Sequence, residues 1–548
     1  MVAPYALLFR LLNALVLSTS FGPDEYWQSL EVAHRWVFGY GYLTWEWDPC
    51  VALRGALHPC LFAAYYRVLR LLRADSARLV AYGPRLLQAA AASRADLAVH
   101  RTARALFGAE VATLAVFVQL GSWFQFYCMV RTYSNSIEAA LMALAMESWL
   151  TGGVRSRRVA LLFGSLCVAL RPTSAVFWLA LVLHDVVAQL SAQPPPPLLT
   201  RACSLVKHLL VPGVLISSSV VALSAVLDSA VFGSWVFVPW NFARFNLFQD
   251  GGAFYGSHAW HWYATEGLLV TLGTFLPFTL LGIWQTARAR GTGGSAARAL
   301  RGPYLAAAAA VGALSLASHK EYRFLLPFLP LASLPTAVGL ARVSQGCKQR
   351  QRFLLRMAVF GPQSIAAVFF ACVHQRGGEA VMAHLRRQPP GPDGVFFLTA
   401  CHATPLQSHL HLDVPLGILD CPPGRGSLRD RFFREPLPTL QLLFPGAVHG
   451  QGSSRTPVEA NGTAGVTALA MPCAEPRFAP SARDLPSVFV VWGSLLRHDP
   501  DLGPWLAENG FASEAVVPDG YWSEGPYGVE LRPSFHVYRR AGARRGRS

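Results

Sequence analysis

The chain has 548 residues, of which 53% are hydrophobic and only 14% are charged, and its formal net charge is +16. A soluble globular domain carries about 25% charged residues, so this composition excludes an ordinary soluble enzyme. The deficit of charge lies in residues 1–375, where apolar stretches recur, and the rest of the chain is more polar. The basic residues lie in loops between apolar stretches, as the positive-inside rule predicts, so we expect no nucleic-acid partner.

Eleven apolar segments predict an all-α polytopic membrane protein, since about 20 apolar residues cross a bilayer. They are 4–20, 82–100, 109–127, 134–150, 158–170, 174–190, 208–229, 267–288, 303–317, 323–341 and 354–373. The first has no clear cleavage site and is predicted to be a retained span. With these spans, the basic loops fall on one side, which we expect to be cytoplasmic. They are 100–104, 155–158, 201–208, 288–301 and 342–356.

Residues 57–72 resemble a further span but would place every later basic loop on the wrong side. The segment has Arg67, Arg70 and Arg73 three residues apart, with Leu and Tyr on the other face. This pattern predicts an amphipathic helix in the membrane interface. We therefore expect 21–81 to be one long non-cytoplasmic loop within a membrane domain of residues 1–374.

The tail, 375–548, is rich in Pro and Gly and is predicted to be a mixed α/β region on the same side as the 21–81 loop. Strand-like runs occur at Val395–Leu398 and Ser487–Trp492, and Asn461 begins an N-glycosylation sequon. In an oxidising compartment, Cys401 and Cys421 are candidates for a disulfide, which leaves Cys473 over.

Asp24 and Glu25 are the first candidate catalytic residues. Pro23 suits the first turn of a helix, and the helix dipole there favours ionised carboxylates. A carboxylate beside the membrane can act as a general base towards a hydroxyl. The alternative is that both acids only cap an interfacial helix, and residue chemistry alone favours that alternative.

The turn at 318–323 (S-H-K-E-Y-R) is the second candidate site. Lys320 and Arg323 could neutralise a phosphate and His319 could orient it, while Arg171 lies between two short spans. The alternative is a short loop that only solvates a helix hairpin.

The aromatic run 255–263 (Y-G-S-H-A-W-H-W-Y) could stack on a sugar or form an interfacial aromatic belt. His258 and His261 are spaced as a possible metal pair, but the sequence offers no obvious third ligand, so we predict no metal site. We find no phosphate-binding Gly loop, dinucleotide fingerprint or nucleophile elbow. A polytopic transporter remains an alternative, with Asp96 and Arg171 as its candidate intramembrane charges.

Several motifs resemble one family of enzymes. F-G-P-D-E-Y-W-Q-S-L-E-V-A-H (21–34) and G-Y-G-Y-L-T-W-E-W (39–47) resemble the first luminal loop of the glycosylphosphatidylinositol (GPI) mannosyltransferases. These are GT-C enzymes of glycosyltransferase family 22 in the endoplasmic reticulum, and they use dolichol-phosphate-mannose. Further similar stretches are 171–174, 241–246, 254–263, 272–278, 318–324, 373–377, 401–409 and 421–423. The resemblance runs from about residue 10 to about 425 and then fades.

The resemblance implies an α-1,2-mannosyltransferase that adds the third mannose to the second mannose of the GPI precursor. Asp24 matches the family's catalytic acid, with Glu25 beside it. The histidine that many sister enzymes have two residues earlier is here Gly22, which fits the branch that adds the third mannose. The donor is β-linked and the product α-linked, so a single inverting displacement with one base suffices. The expected partners are dolichol-phosphate-mannose, the mannosylated GPI lipid and the endoplasmic-reticulum membrane, with no cofactor required.

Further roles are expected for other residues. The donor phosphate and sugar are expected to contact His319, Lys320, Arg323, Arg171, His258 and His261. The acceptor sugar is expected to stack on Tyr26, Trp27, Trp45 and Trp260. A sister enzyme of lipid-linked N-glycan assembly remains the alternative with the same chemistry.

Overall fold

The computed structural model describes residues 2–191, 198–289, 293–423, 427–447, 485–525 and 527–542. The predicted glycosylation site Asn461 and the remaining cysteine Cys473 lie outside these ranges. The chain forms two compact units. The first comprises Met1–Leu17, Ala52–Leu61 and Tyr82–Ala371; the second comprises Ser18–Val51, Phe62–Ala81 and Cys372–Ser548. Most of the 21–81 loop therefore belongs to the same unit as the tail.

The described part of the first unit is helical, and each of the eleven predicted spans falls in helical segments. The span 109–127 is divided at Ser122 into two helices. The α-helices that lie wholly or mostly in it are Val2–Val16, Ala77–Phe107, Ala109–Gly121, Trp123–Cys128, Ser134–Thr151, Val154–Leu170, Ala175–Leu190, Leu198–Leu205, Val211–Phe232, Val238–Ala243, Leu268–Leu272, Leu276–Arg288, Gly293–Leu316, Leu329–Ser344 and Gln349–Cys372. Short 3₁₀ or π-helical turns occur at Pro172–Ser174, Val206–Leu210, Arg244–Phe248, Gly251–Tyr255, Tyr263–Gly267, Gly273–Phe275 and Tyr322–Phe328.

Six described helical segments are long and apolar enough to cross a membrane. They are Pro172–Leu190, Leu199–Phe232, Tyr263–Arg288, Gly294–Leu316, Tyr322–Ser344 and Gln349–Arg387. Val2–Val16 and Ala109–Gly121 are apolar but shorter. The helices at the three other predicted spans (82–100, 134–150 and 158–170) do not meet the same criteria of length and hydropathy.

A buried ion pair joins the first helix to the helix Ala77–Phe107. The Arg10 guanidinium donates from Nε and Nη2 to the two carboxylate oxygens of Asp96, each at 2.8 Å, and both side chains are 0% exposed. Gln119 Nε2 donates to the same carboxylate at 3.2 Å. Asp96, a candidate charge for a transporter, is therefore neutralised within the protein.

The second unit contains a five-stranded mixed sheet. Its strands are β1 (Val395–Leu398), β2 (Leu416–Ile418), β3 (Val488–Trp492), β4 (Phe511–Pro518) and β7 (Ser534–Arg540), in the order β2-β1-β3-β7-β4. β1 is parallel to β2 and β3, whereas β7 is antiparallel to β3 and β4. A separate hairpin pairs β5 (Trp522–Gly525) with β6 (Gly528–Leu531). The two predicted strand-like runs are β1 and β3.

Helices cover both faces of this sheet. β1 and β3 are buried at every position, as expected of strands covered on both sides. Side chains alternate between the faces. One face packs against Tyr26, Trp27, Leu30, Phe62 and Tyr66 of the first loop. The other packs against Phe432, Leu440, Leu502 and Trp505 of the tail.

The remaining helices of the second unit are short, apart from the amphipathic helix Leu57–Leu71, which both units share. They are Glu31–Phe38, Gly377–Arg387, Gln407–Leu410, Leu428–Arg434, Pro436–Leu443, Gly493–His498 and Leu502–Glu508, with short turns at Tyr26–Leu30 and Trp45–Trp47. In Leu57–Leu71, Phe62 and Tyr66 are buried whereas Arg67 and Arg70 are exposed. Its predicted amphipathic helical form is confirmed; its place in the membrane interface stays a prediction.

Candidate active site

Asp24 lies in the first turn of a helix, as predicted from Pro23. The Pro23 carbonyl accepts hydrogen bonds from the backbone N–H groups of Tyr26 and Trp27, each at 3.1 Å. Asp24 is half-buried, whereas Glu25 is fully buried. Asp24 is therefore the carboxylate of this pair with surface left for a substrate. The helix continues as a π-helical turn, Tyr26–Leu30, a local irregularity that is frequent at functional sites.

The structure corrects the expectation that Tyr26 and Trp27 stack on the acceptor sugar. Each ring is only 2% exposed. The Tyr26 hydroxyl donates to Glu379 Oε1 at 2.6 Å, and Trp27 Nε1 donates to the carbonyl of Thr404 at 3.0 Å. Both aromatic side chains are packed against the tail, because the apolar face of this helix covers the sheet.

Two polar residues further along the same helix, Glu31 and His34, also bind the tail, although no sequence motif indicated a role for them. The carboxylate of Glu31 accepts hydrogen bonds from Leu406 N at 2.8 Å and from Ser408 N at 3.2 Å. His34 Nε2 lies 3.0 Å from His411 Nδ1. Burial raises the pKa of Glu31 and lowers that of His34 to about 3. In the sequence, these contacts could have been found from the polar residues that recur on an otherwise apolar face of this helix.

The predicted disulfide between Cys401 and Cys421 is present. His402, which follows Cys401, stacks on Trp27 with ring centroids 4.4 Å apart and an interplanar angle of 30°. Burial lowers the pKa of His402 to about 4, and the Asp24 carboxylate opposes this shift. His402 is therefore a neutral imidazole stacked on the helix that bears Asp24, and no sequence motif indicated this contact.

In the first unit, Glu321 organises the predicted charged turn. Its carboxylate accepts hydrogen bonds from Arg323 Nε at 2.6 Å and Arg323 Nη2 at 2.5 Å. His319 Nε2 lies 3.0 Å from the same carboxylate. Burial favours the neutral acid, but Arg323 and His319 hold the pKa of Glu321 well below its usual range. Burial opposes charging of His319, yet the hydrogen bond with Glu321 raises its pKa.

Lys320 is buried, although its charge and position predicted a contact with the donor phosphate. Its ammonium donates to the carbonyls of His258, at 2.9 Å, and Ala317. Burial lowers the pKa of Lys320. These contacts join the turn to the aromatic loop, so Lys320 has a structural role that the sequence did not indicate.

Arg171 lies beside this turn. Its Nε is 3.3 Å from Glu138 Oε2, and its Nη1 donates to Ser134 Oγ at 3.2 Å. The Arg171 guanidinium also lies 5.2 Å from the ring centroid of Phe324, over which Arg323 lies at 5.6 Å. The first unit thus brings Arg171 and Arg323 together on one aromatic ring. Glu138 was missed, although a carboxylate in a predicted span is itself a functional signal.

In the aromatic run 255–263, the side chains that were predicted to contact the sugar substrates are accessible to solvent. His258, Trp260 and His261 are exposed, and Trp260 is 73% exposed. In the second unit, Trp45 is half-buried. Within the described residues, the one group of side chains close enough to ligate a metal is Cys401, His402 and Cys421. Its two sulfurs are joined in the disulfide, so they are not available as thiolate ligands.

The site residues predicted from sequence are thus divided between the units. Asp24, Glu25, Tyr26, Trp27 and Trp45 lie in the second unit. The first unit contains the basic and histidine candidates, which are Arg171, His258, His261, His319, Lys320 and Arg323, together with Trp260.

Comparisons with known proteins show which family the chain resembles. Residues 3–411 match the Alg9-like mannosyltransferase family. The chain is 38% identical to a GPI alpha-1,2-mannosyltransferase 3 of Mus musculus over 80% of this chain and 78% of the relative. It is 33% identical to the protein of the same name in Danio rerio, over 97% of this chain and 89% of the relative.

Among solved structures, the fold is similar to that of ArnT from Cupriavidus metallidurans bound to undecaprenyl phosphate. The TM-score is 0.58 at 13% sequence identity, covering 100% of this chain and 98% of ArnT. This similarity supports the GT-C fold expected from the sequence. The family match and the similarity over most of the chain show that this multi-pass membrane glycosyltransferase belongs to the Alg9-like mannosyltransferase family.

Proposed function

We propose that the chain is an α-1,2-mannosyltransferase that transfers mannose from dolichol-phosphate-mannose to the second mannose of the GPI precursor, making the third mannose of the anchor. The observation that carries this proposal is the similarity, over about 80% of the chain, to relatives named for this activity. The first-loop motif around Asp24 supports it, because a family that inverts the anomeric carbon needs one base.

Asp24 is the proposed general base. Its carboxylate takes the proton from the 2-hydroxyl of the acceptor mannose, and that oxygen attacks the anomeric carbon of the donor. The bond from this carbon to the phosphate oxygen breaks, and dolichyl phosphate leaves with the electron pair. The first-turn position favours the ionised carboxylate, and such a base accelerates the reaction by about 10²–10⁴-fold.

Basic groups of the first unit are proposed to stabilise the leaving phosphate. Arg171 and Arg323 are fixed by Glu138 and Glu321, and His319 shares the Glu321 carboxylate. Fixed cations stabilise developing negative charge without the cost of reorganising in the transition state. Because the leaving group is already a lipid phosphate, the displacement requires no nucleotide.

The proposed location is the endoplasmic-reticulum membrane, with the 21–81 loop and the tail in the lumen. Two features support this orientation. The basic loops all fall on one side of the predicted spans, and the disulfide between Cys401 and Cys421 suits an oxidising compartment. The membrane would also confine both lipid substrates to one surface, which reduces the search in solution.

Complementation of cells that lack the third-mannose step tests the proposal. Wild-type chain should restore GPI-anchored proteins at the cell surface, whereas Asp24→Asn should not, because the amide cannot accept the proton. Asp48→Asn is the matched control, since it neutralises another carboxylate of the same loop and should restore activity. Full rescue by Asp24→Asn would exclude Asp24 as the base.

The lipid that accumulates in cells without this chain separates the proposal from its alternative. We expect a GPI lipid with two mannoses. Accumulation of a truncated lipid-linked oligosaccharide would instead indicate a sister enzyme of N-glycan assembly. If the wild-type chain restored neither GPI-anchored proteins nor the complete lipid-linked oligosaccharide, the result would favour a polytopic transporter.

A further inference from the structure

The hairpin β5–β6 of the second unit exposes an apolar face. In its register, Trp522 lies opposite Leu531, and Val529 is two residues before Leu531. Because successive side chains of a strand point to opposite faces, these three side chains share one face of the hairpin. Trp522 is 44% exposed, Val529 77% and Leu531 78%. Exposed apolar side chains that are grouped in this way mark a contact with a protein or a membrane.

Other side chains of the hairpin bind the second unit and fix its orientation. The buried carboxylate of Glu530 accepts hydrogen bonds from Trp492 Nε1 at 2.9 Å and from Ser494 Oγ at 2.5 Å. Near the turn between the two strands, Tyr527 stacks on His498 with ring centroids 3.8 Å apart. Glu530 lies between Val529 and Leu531, so its side chain points to the opposite face from theirs. The apolar face is therefore held outwards by the packing of the other face.

The apolar face begins beside the point where the chain leaves its last predicted span. The helix Gln349–Cys372, which contains that span, ends two residues before His374. The His374 and Trp522 rings are in contact, with centroids 4.2 Å apart. Two residues of chain reach at most about 7 Å, so Trp522 lies close to the end of a membrane-spanning helix.

Hydrogen bonds tie the base of the hairpin to the same point. The Asp519 carbonyl accepts from Arg376 N at 2.7 Å, and the Asp519 carboxylate accepts from Gly377 N at 2.8 Å. The Gln375 carbonyl accepts from Ser20 N at 2.8 Å, and Ser20 is the last residue of the first predicted span, 4–20. The residues that follow the last span therefore join the end of the first span to the base of the hairpin.

We propose that the face formed by Trp522, Val529 and Leu531 is a membrane-contact surface whose partner is the lipid of the bilayer that the chain spans. The argument is continuity, because the hairpin is bonded to the residues at which the chain leaves the membrane and its apolar face starts there. Tryptophan is enriched at the membrane–water interface, where it presents an apolar ring and a polar N–H. The exposed Arg532 follows Leu531; an arginine there can cover apolar surface with its stem and reach lipid phosphates with its guanidinium. The inference is independent of the reaction that the chain catalyses.

Nitroxide labels on the full-length chain test this contact. Leu531→Cys and Val529→Cys are each labelled and reconstituted into phosphatidylcholine nanodiscs. Ala541→Cys is the matched control, because Ala541 is also exposed and lies beyond the far end of β7, about 23 Å along the strand from Ser534. The unsubstituted chain, treated with the same reagent, gives the signal from the native cysteines, which is subtracted. Electron paramagnetic resonance then measures how often each label collides with oxygen and with a water-soluble nickel chelate.

We expect the labels at positions 529 and 531 to collide more often with oxygen, which concentrates in the bilayer, than with the nickel chelate. Both labels should lie about 5–10 Å into the boundary between headgroups and acyl chains, as the apolar face of an interfacial helix does. The label at position 541 should collide more often with the nickel chelate, because that end of β7 is directed away from the base of the hairpin.

Nickel collisions at positions 529 and 531 as frequent as those at position 541 would overturn the inference. Dipolar broadening between labels on two chains in one nanodisc would assign the face to a second copy of the chain and would overturn it as well. Val529 and Leu531 are both more than three-quarters exposed, so neither substitution should prevent folding. If one of the two variants is not recovered, the other carries the test by the same criteria.

Discussion

Removing the acid of the buried Arg10–Asp96 pair should destabilise the first unit more than replacing any exposed charged residue does. In Asp96→Leu, the guanidinium of Arg10 keeps its charge, because arginine is not deprotonated in proteins. It also loses both 2.8 Å hydrogen bonds, and Gln119 Nε2 loses its acceptor. The remaining partners of Arg10 are weaker: Asn13 Oδ1 and the Gln125 carbonyl, each at 3.4 Å.

The expected cost follows from the burial of the pair. Removing one partner of a buried pair costs about 3–5 kcal/mol, because the other charge stays uncompensated. Both side chains are 0% exposed, so Asp96→Leu should lie in this range. Arg10→Leu removes the other partner of the pair and should also be destabilising. The double variant should cost less than either single one, since it leaves neither charge.

The buried thiols of Cys128 and Cys167 provide the assay. Both are in the first unit and are 0% exposed, so a thiol-reactive dye labels them when that unit unfolds. The exposed Cys203 reacts beforehand and sets the baseline. The control is Glu147→Leu, which breaks the more exposed pair with Arg101 and should cost about 0–1 kcal/mol. Equal costs for Asp96→Leu and Glu147→Leu, or a double variant worse than both single ones, would refute the reasoning.

Three further predictions concern other contacts. Glu31→Ala should destabilise the second unit by about 1–3 kcal/mol, because the Ser408 N–H and hydroxyl lose their acceptor; limited proteolysis of the tail measures this. Acid should also destabilise this unit: burial lowers the pKa of His34 to about 3 and of His402 to about 4, so between pH 6.5 and 4 the unfolded chain binds protons that the folded chain does not. The stability of the wild type relative to the double variant His34→Gln/His402→Gln, measured by unfolding at constant urea across that pH range, should therefore fall below pH 6.5. This difference isolates the histidines from Asp519, whose pKa burial raises to about 6 and which acts in the opposite direction. Trp260→Ala should leave the unfolding temperature unchanged, since the ring is 73% exposed, and should raise the acceptor KM if the ring stacks on the sugar.

Local signals explain why much of the fold could be predicted. A helix that crosses a bilayer is specified by its own length and hydropathy, and six of the predicted spans lie in described helices that are long and apolar enough to cross one. The strands β1 and β3 are short apolar runs bounded by Pro, Gly and polar residues. The helix start at Asp24 is also local, because Pro23 and the acids after it favour a first turn in any context.

Contacts between distant residues could not be predicted in this way. Tyr26 and Trp27 bind Glu379 and Thr404, more than 350 residues later. An aromatic ring has the same chemistry whether it packs on a sugar or on protein, so the sequence alone did not distinguish the two. Lys320 illustrates the same limit, since its ammonium binds backbone carbonyls that no motif identifies.

The spacing of these contacts explains why the resemblance to the family continues into the tail. Trp27, Glu31 and His34 are four and three residues apart, so they follow one face of the helix that begins at Asp24. Their partners in the tail are Thr404, Ser408 and His411, with the same spacing. Polar contacts of this kind need particular groups at particular positions. Beyond about residue 425 the tail adds mainly apolar strand and helix packing to the sheet, and hydrophobic residues of similar volume can substitute for one another there. The part of the tail that the family model covers, up to residue 411, therefore contains the polar partners of the helix that bears Asp24.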